Sequence, residues 1–277
     1  MKTTLCVFVA VLAAACGTVT HEPADTLGEG QDRLAPPLSP PLWYTVSETK
    51  TGYRFSSIGF DVSFDVAQVE NTDPDLDTST FKTAFSTVDQ LIVQGHPDGA
   101  KAFDVYALYQ ALPRVLPVKP AAAYRPTHEN IACFTTPCPT WSLAAIDGSP
   151  DTAVETIDLT HTWRPGVDEA WLTARMEQGR TVLVGVADAP TSLDVRALYL
   201  RLPERPVCDL YRPGCNTKGE VATWSRDTNR CMVFEGCAEP GPCIEKPMQC
   251  DEGYHEVRFA TQPNACEVVR CDPYFAE

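Results

Sequence analysis

Apolar and polar positions change period along the chain in an order that occurs twice. From Phe60 to Val69 they alternate, with Phe60, Val62, Phe64 and Val66 on one side, which predicts a half-buried strand. Phe81, Ala84, Phe85 and Val88 then fall at the i, i+3, i+4, i+7 spacing of a short amphipathic helix. Leu91 to Gln94 and Phe103 to Leu112 return to strand character, separated by a His96-Pro97-Asp98-Gly99 turn. Downstream the grammar repeats. Strands are predicted near Ser142 to Ile146 and Val154 to Leu159, a helix near Asp168 to Gln178, and strands at Val182 to Ala187 and Asp194 to Leu202. Each stretch reads roughly ββαββ, with Tyr53 to Ile58 in the first matching the strand near Ser142 to Ile146 in the second. That order predicts an α+β fold of two tandem repeats with mostly antiparallel sheets, because a nucleotide-binding sheet would alternate strand and helix regularly.

The residues themselves support a duplication between Trp43 and Pro206. Asp104-Val-Tyr-Ala-Leu-Tyr-Gln-Ala-Leu-Pro113 matches Asp194-Val-Arg-Ala-Leu-Tyr-Leu-Arg-Leu-Pro203 at a spacing of 90. Upstream, Tyr53-Arg-Phe-Ser-Ser-Ile58 pairs with Trp141-Ser-Leu-Ala-Ala-Ile146 at a spacing of 88. Two matches in the same order favour duplication over chance and place the halves at about 43–123 and 124–206.

The two ends of the chain have different patterning. Met1 to Cys16 has one Lys, an eleven-residue apolar run from Leu5 to Ala15, and small residues before the cysteine. This is the layout of a secretory signal, too short for a membrane-spanning helix. Leu12-Ala13-Ala14-Ala15-Cys16-Gly17 resembles the lipobox of bacterial lipoproteins, which implies cleavage before Cys16 and acylation of its thiol and amine. Cleavage by the ordinary signal peptidase after an Ala-x-Ala is the alternative. Gly17 in place of Asp, by the same resemblance, implies sorting to the outer membrane or cell surface of a Gram-negative-type bacterium. A periplasmic or secreted protein is the other reading. Residues 16–42 hold five prolines and three glycines after Gly17 is included, and read as an extended tether.

At the other end, eight cysteines fall between Cys208 and Cys271. Cys208, Cys215, Cys231 and Cys237 are separated by 6, 15 and 5 residues; Cys243, Cys250, Cys266 and Cys271 by 6, 15 and 4. This predicts tandem four-cysteine modules at 207–241 and 242–277, each too small to bury a core and each closed by two disulfides of open connectivity. The second module resembles antistasin-like or epidermal-growth-factor-like knots. Of the 12 cysteines, Cys6 leaves with the signal and Cys16 is consumed by the lipid, so ten remain and can pair completely.

Cys133-Phe-Thr-Thr-Pro-Cys138 between the halves reads as a loop staple. A redox pair favours two intervening residues, and a metal site needs more ligands than His128 supplies. With its flanks, Tyr124-Arg-Pro-Thr-His-Glu-Asn-Ile-Ala-Cys133 and Ala197-Leu-Tyr-Leu-Arg-Leu202, this segment resembles a two-halved domain of unknown function in bacterial secreted lipoproteins, marked by Cys-x-Thr-x-Pro-Cys-Pro. The first half here lacks the cysteine pair that family usually carries. The resemblance covers about Trp43 to Pro206 and implies secretion and fold, with no activity attached.

Composition narrows the function classes. With 22 basic and 37 acidic residues, a net charge of −15, the chain lacks the cationic footprint of a nucleic-acid binder. The five histidines, His21, His96, His128, His161 and His255, are scattered, and no zinc-protease, nucleophile-elbow, P-loop or dinucleotide motif is present. Asp147-Gly-Ser-Pro150 reads as a turn. Asp73, Asp75 and Asp77 begin like a calcium loop, but Thr78 and Ala84 stand where its glycine and glutamate belong, so Asp77, Thr78 or Ser79 is expected to cap the following helix. Trp43, Trp141, Trp163, Trp171 and Trp224 are expected mainly in the core. The sequence thus predicts a non-enzymatic cell-envelope lipoprotein without cofactor or metal, anchored by its lipid and contacting a protein partner through the cysteine-rich modules. The alternatives are an extracellular hydrolase with a dispersed site around His161 between the halves, and a protease inhibitor acting through the modules.

Overall fold

The computed structural model describes residues 42–276, leaving out 100, 114–121, 130, 132–133, 135, 205–207, 210–212 and 245–247. In the first half, β1 (Leu42–Thr49), β2 (Gly52–Ser57), β3 (Ser63–Val66) and β4 (Gln68–Asn71) precede α1 (Thr78–Ala84), β5 (Leu91–Asp98) and β6 (Ala102–Ala111). The second half repeats the series as β7 (Ala122–His128), β8 (Trp141–Ala145), β9 (Thr152–Val154), β10 (Thr156–Asp158), α2 (Glu169–Glu177), β11 (Thr181–Asp188) and β12 (Ser192–Arg201). The fold is α+β, dominated by antiparallel strands, with two tandem repeats and a disulfide-rich end.

Each repeat is richer than the sequence pattern predicts. The alternation from Phe60 to Val69 covers two strands, because the chain changes neighbours at Ala67: β3 pairs antiparallel with β2, and β4 parallel with β6. Phe60 and Val62 fall before β3 and are 56% and 55% exposed, so the predicted apolar face begins only at Phe64. The predicted His96–Gly99 turn is also displaced. β5 continues to Asp98, with Pro97 paired to Phe103. β1 reaches only to Gly95 on the other side of β5, so Pro97 lies at an edge where a missing N–H is tolerated.

The twelve strands form one sheet whose main path is β3-β2-β1-β5-β6-β12-β11-β7-β8-β9, a palindrome when the halves are superimposed in order. β6 and β12 meet antiparallel through Ala111–Tyr199, Gln110–Leu200 and Tyr109–Arg201. Both hairpins carry a bulge at equivalent glycines. A Cβ at Gly95 would lie 2.1 Å from the Asp104 carbonyl oxygen, and one at Gly185 2.3 Å from that of Asp194. Only a residue without a side chain allows the strands to close up there.

Alternate positions feed different cores. Leu91 and Val93 join Phe55, Phe85 and Phe103 in one cluster, whereas Ile92 between them joins Trp43, Tyr109, Ala123 and Val182. This second cluster draws on both halves, so the duplication is buried on a shared face. Trp171, Leu172 and Met176 of α2 pack with Leu183, Leu193 and Leu198 in a third.

The terminal modules are two hairpins, β13 (Val221–Arg226) with β14 (Met232–Ala238) and β15 (Tyr254–Thr261) with β16 (Cys266–Pro273). Cys208–Cys231, Cys215–Cys237, Cys243–Cys266 and Cys250–Cys271 bridge first to third and second to fourth cysteine in each. Neither module relies on its disulfides alone. Tyr254, Cys271 and Ala276 enter the core of the second half, and Cys271 N–H donates to the Gly166 carbonyl at 2.9 Å. A Cβ on Gly166 would meet Cys271 Sγ at 2.6 Å. Polar contacts add to the join: Arg175 Nη1 donates to Asn229 Oδ1 at 3.2 Å and Arg230 Nη2 to the Glu204 carbonyl at 2.7 Å, while Arg226 on Asp272 ties the two modules to each other.

Candidate functional site

The two repeats share a scaffold but differ in what it encloses. Register along β10 and β12 makes Ile157 the equivalent of Val69, and Asp158 that of Glu70. Trp141 faces Val154 as Tyr53 faces Val66, so those two aromatics correspond. Asp77 and Asp168 are the N-caps of α1 and α2, accepting hydrogen bonds from backbone N–H groups of the first turn. Eight residues beyond each cap stand Phe85 and Met176.

In the first half aromatic rings occupy the space between strand and helix. Phe85 packs edge-on against Tyr53 at 5.2 Å between ring centroids, and tilted by 40° against Phe81 at 4.7 Å. In the second half, with Met176 at the position of Phe85, a groove of about 640 Å³ remains. Trp141, Trp163 and Met176 line it, with carboxylates from Glu155, Asp158 and Glu169. Counterparts of the acids in the first half are Ala67, Glu70 and Thr78, and Lys82 stands where the groove has Thr173. Divergence has therefore both opened this side and made it acidic.

Local contacts fix the acids. Glu155 accepts the backbone N–H of Cys138, and its carbonyl accepts from Thr140 Oγ1 at 2.9 Å, tying the cysteine loop to the wall. Asp158 accepts the Thr160 hydroxyl at 2.5 Å and its N–H at 2.9 Å. These bonds, then the neighbouring His161 and Arg196, hold its carboxyl below the usual range. Trp163 is 39% exposed, unlike Trp43, Trp141 and Trp171, which are in the core as expected. A polarizable aromatic wall beside fixed negative charge suits an organic cation, which gains both Coulomb and cation–π attraction.

His161 Nε2 stands 3.7 Å from Asp194 Oδ1, beside Asp158, so the structure brings the histidine singled out in the sequence to two carboxylates. Asp194 is also paired to Arg196. The equivalent Asp104 lies 3.7 Å from His96 Nε2, whose Nδ1 is 2.6 Å from the Tyr106 hydroxyl. His128 packs edge-on to Trp141 at 4.8 Å.

The acidic stretch at Asp73 is structural. Asp73 is 3% exposed and bound by Arg201 Nη2 at 3.1 Å, linking the halves, while Asp77 caps α1. Asp147 turns its chain as expected, accepting the Ser149 N–H. Cys16 and Cys133 lie outside the described residues; Cys138 is disulfide-bonded. The groove acids were not singled out by any motif. A position-by-position comparison of the repeats, with Met176 against Phe85 and Glu169 against Thr78, is the signal that reveals them.

No family model matches the chain. An uncharacterized protein of Dictyostelium discoideum is similar to it, 28% identical over 186 residues, or 65% of this chain and 64% of that protein. The match thus spans slightly less than two thirds of the relative. No solved structure matches.

Proposed function

We propose that the chain is an exported binding protein, anchored through acylated Cys16 and held off the membrane by its proline-rich tether, whose groove in the second repeat captures ligands with an ammonium-type head. The observation that carries this reading is the contrast between repeats: one scaffold, filled by Tyr53, Phe81 and Phe85 on one side and left open with three carboxylates on the other. A neutral sugar would use the aromatic wall but gain nothing from the charge. Disulfide-bonded modules support export to an oxidising compartment. Calorimetric titration with choline tests the reading against its neutral carbon isostere, dimethylbutanol. Choline binds saturably, and Trp163→Ala weakens it about tenfold, the scale of a desolvated cation–π contact. Equal binding of the isostere, or an unaffected Trp163→Ala variant, would overturn it.

A second reading rests on His161 between Asp158 and Asp194. If this cluster hydrolyses an extracellular substrate, a panel of ester and glycoside substrates is turned over by the full chain and spared by His161→Ala. No turnover across the panel removes this reading.

A further inference from the structure

The repeats place a polar side chain on opposite strands of the same pair. In the first, Gln110 of β6 pairs with Leu91 of β5; in the second, the equivalent Leu200 of β12 pairs with Thr181 of β11. Leu200 is wholly buried among apolar neighbours, so this strand position does not require an amide.

Gln110 is only 7% exposed. Its Nε2 donates to Thr87 Oγ1 at 3.2 Å, and its Oε1 accepts from no donor among the described residues. The oxygen is not enclosed, and Gln110 lines a cavity of about 340 Å³. An amide oxygen this deep in the protein is costly without a donor, so something in the cavity is expected to supply one.

The second module completes the cavity. Gly253 sits so close to Pro113 that a Cβ there would lie 2.4 Å from the proline Cβ. The Tyr274 N–H donates to the Gly253 carbonyl at 3.3 Å, which starts the short helical turn Tyr274–Ala276. Phe275 packs against the cores of both repeats and fixes this turn, whereas Tyr274, also at the cavity wall, is 61% exposed. Around the open ring stand the Gln90 and Gln110 amides, the Thr87 hydroxyl and one exposed carboxylate, Glu252. A concave site with a few convergent polar groups is the usual form of a small-molecule site.

We propose that this cavity binds a single neutral pyranose unit, one of its hydroxyls donating to Gln110 Oε1 and its C–H face lying on Tyr274. Hydroxyls both donate and accept, which suits amides and a carboxylate together. The C–H face of the ring supplies the flat apolar surface that an open tyrosine can cover. Among the described residues no cation lines the cavity, so an anion would gain no partner and would meet Glu252. A cation would find only that exposed, solvent-screened carboxylate. The site shares no residue with the acidic groove and does not depend on the reading of that groove.

Saturation-transfer NMR of the full chain with glucose, galactose and mannose tests this, with sorbitol as the open-chain control. At least one hexose binds saturably, and sorbitol binds about tenfold more weakly or not at all. Gln110→Leu, which installs the residue of the equivalent position, and Tyr274→Ala, at an exposed ring, each weaken that hexose about tenfold or more with unchanged far-ultraviolet circular dichroism. The methyl glycoside of the same hexose binds equally if the ligand is the end of a glycan, and is excluded if it is a free reducing sugar. Absence of saturable binding by all three hexoses, equal affinity for sorbitol, or undiminished affinity in either folded variant would overturn the proposal.

Discussion

Gln110 of β6 faces Leu200 of β12 in register, and the two are equivalent residues of the two repeats, 90 positions apart. The axis relating the halves therefore passes through this pair. An antiparallel strand contact of this kind is self-complementary, as the interface of a two-fold dimer would be. Here both copies belong to one chain, and each position has been free to diverge. Gln110 donates to Thr87 at 3.2 Å, whereas Leu200 is wholly buried in the second repeat's core.

The paired bulges give a stability test of the same symmetry. Gly95→Ala and Gly185→Ala each force a Cβ onto a facing carbonyl oxygen, at 2.1 and 2.3 Å. Each is expected to cost about 2 kcal/mol or more, lowering Tm by roughly 4–8 °C. Thermal denaturation followed by circular dichroism checks this; losses confined to one of the two glycines would show that the hairpins are not equivalent.

Mass mapping of the unreduced protein should find the four bridges that join first to third and second to fourth cysteine, and Cys138 joined to Cys133. Each module bridge closes a loop of 21 to 23 residues, with a chain-entropy contribution of about 3 kcal/mol. Replacing Cys250 and Cys271 by serine should destabilise more than replacing Cys215 and Cys237, because Cys271 is buried in the second repeat's core. Equal losses in chemical denaturation would indicate that docking adds nothing.

The cap of α1 predicts a pH dependence. Hydrogen bonds from Ser79 and Thr80 hold the Asp77 carboxyl well below its ordinary value of 3.8. With the folded value depressed, its contribution is present above the ordinary value and is lost as pH falls below it towards the folded value. Asp77→Ala should therefore lower Tm at neutral pH, and the difference from the parent should shrink on acidification below about pH 4. A difference independent of pH would assign the loss to something other than the charged cap.

Anchoring has its own test. Cys16→Ala should move the protein from the membrane fraction to the soluble one and abolish fatty-acid labelling. Unchanged fractionation, with no label in the parent, would remove the lipid from the account.

The repeats were legible because β6 and β12 retain Asp-Val-x-Ala-Leu-Tyr, and because buried and partly buried positions alternate along the first half of both strands. The strand boundary at Ala67 was not, since period-two patterning continues through a change of partner. Module docking was also hidden. Gly166 and Cys271 meet through one backbone hydrogen bond and a missing Cβ, features with no local pattern. The eight module cysteines announced themselves by spacing, but their pairing needed the hairpin registers. The groove emerged only from a difference between repeats, as Met176 looks like any other core residue on its helix.

That difference offers the most direct test of the groove as the ligand site. Met176→Phe installs in the second repeat the side chain that fills the first. Titrated with choline, the parent should show saturable heat and the variant none, with both unfolding at similar temperatures; undiminished binding to folded Met176→Phe would contradict the account.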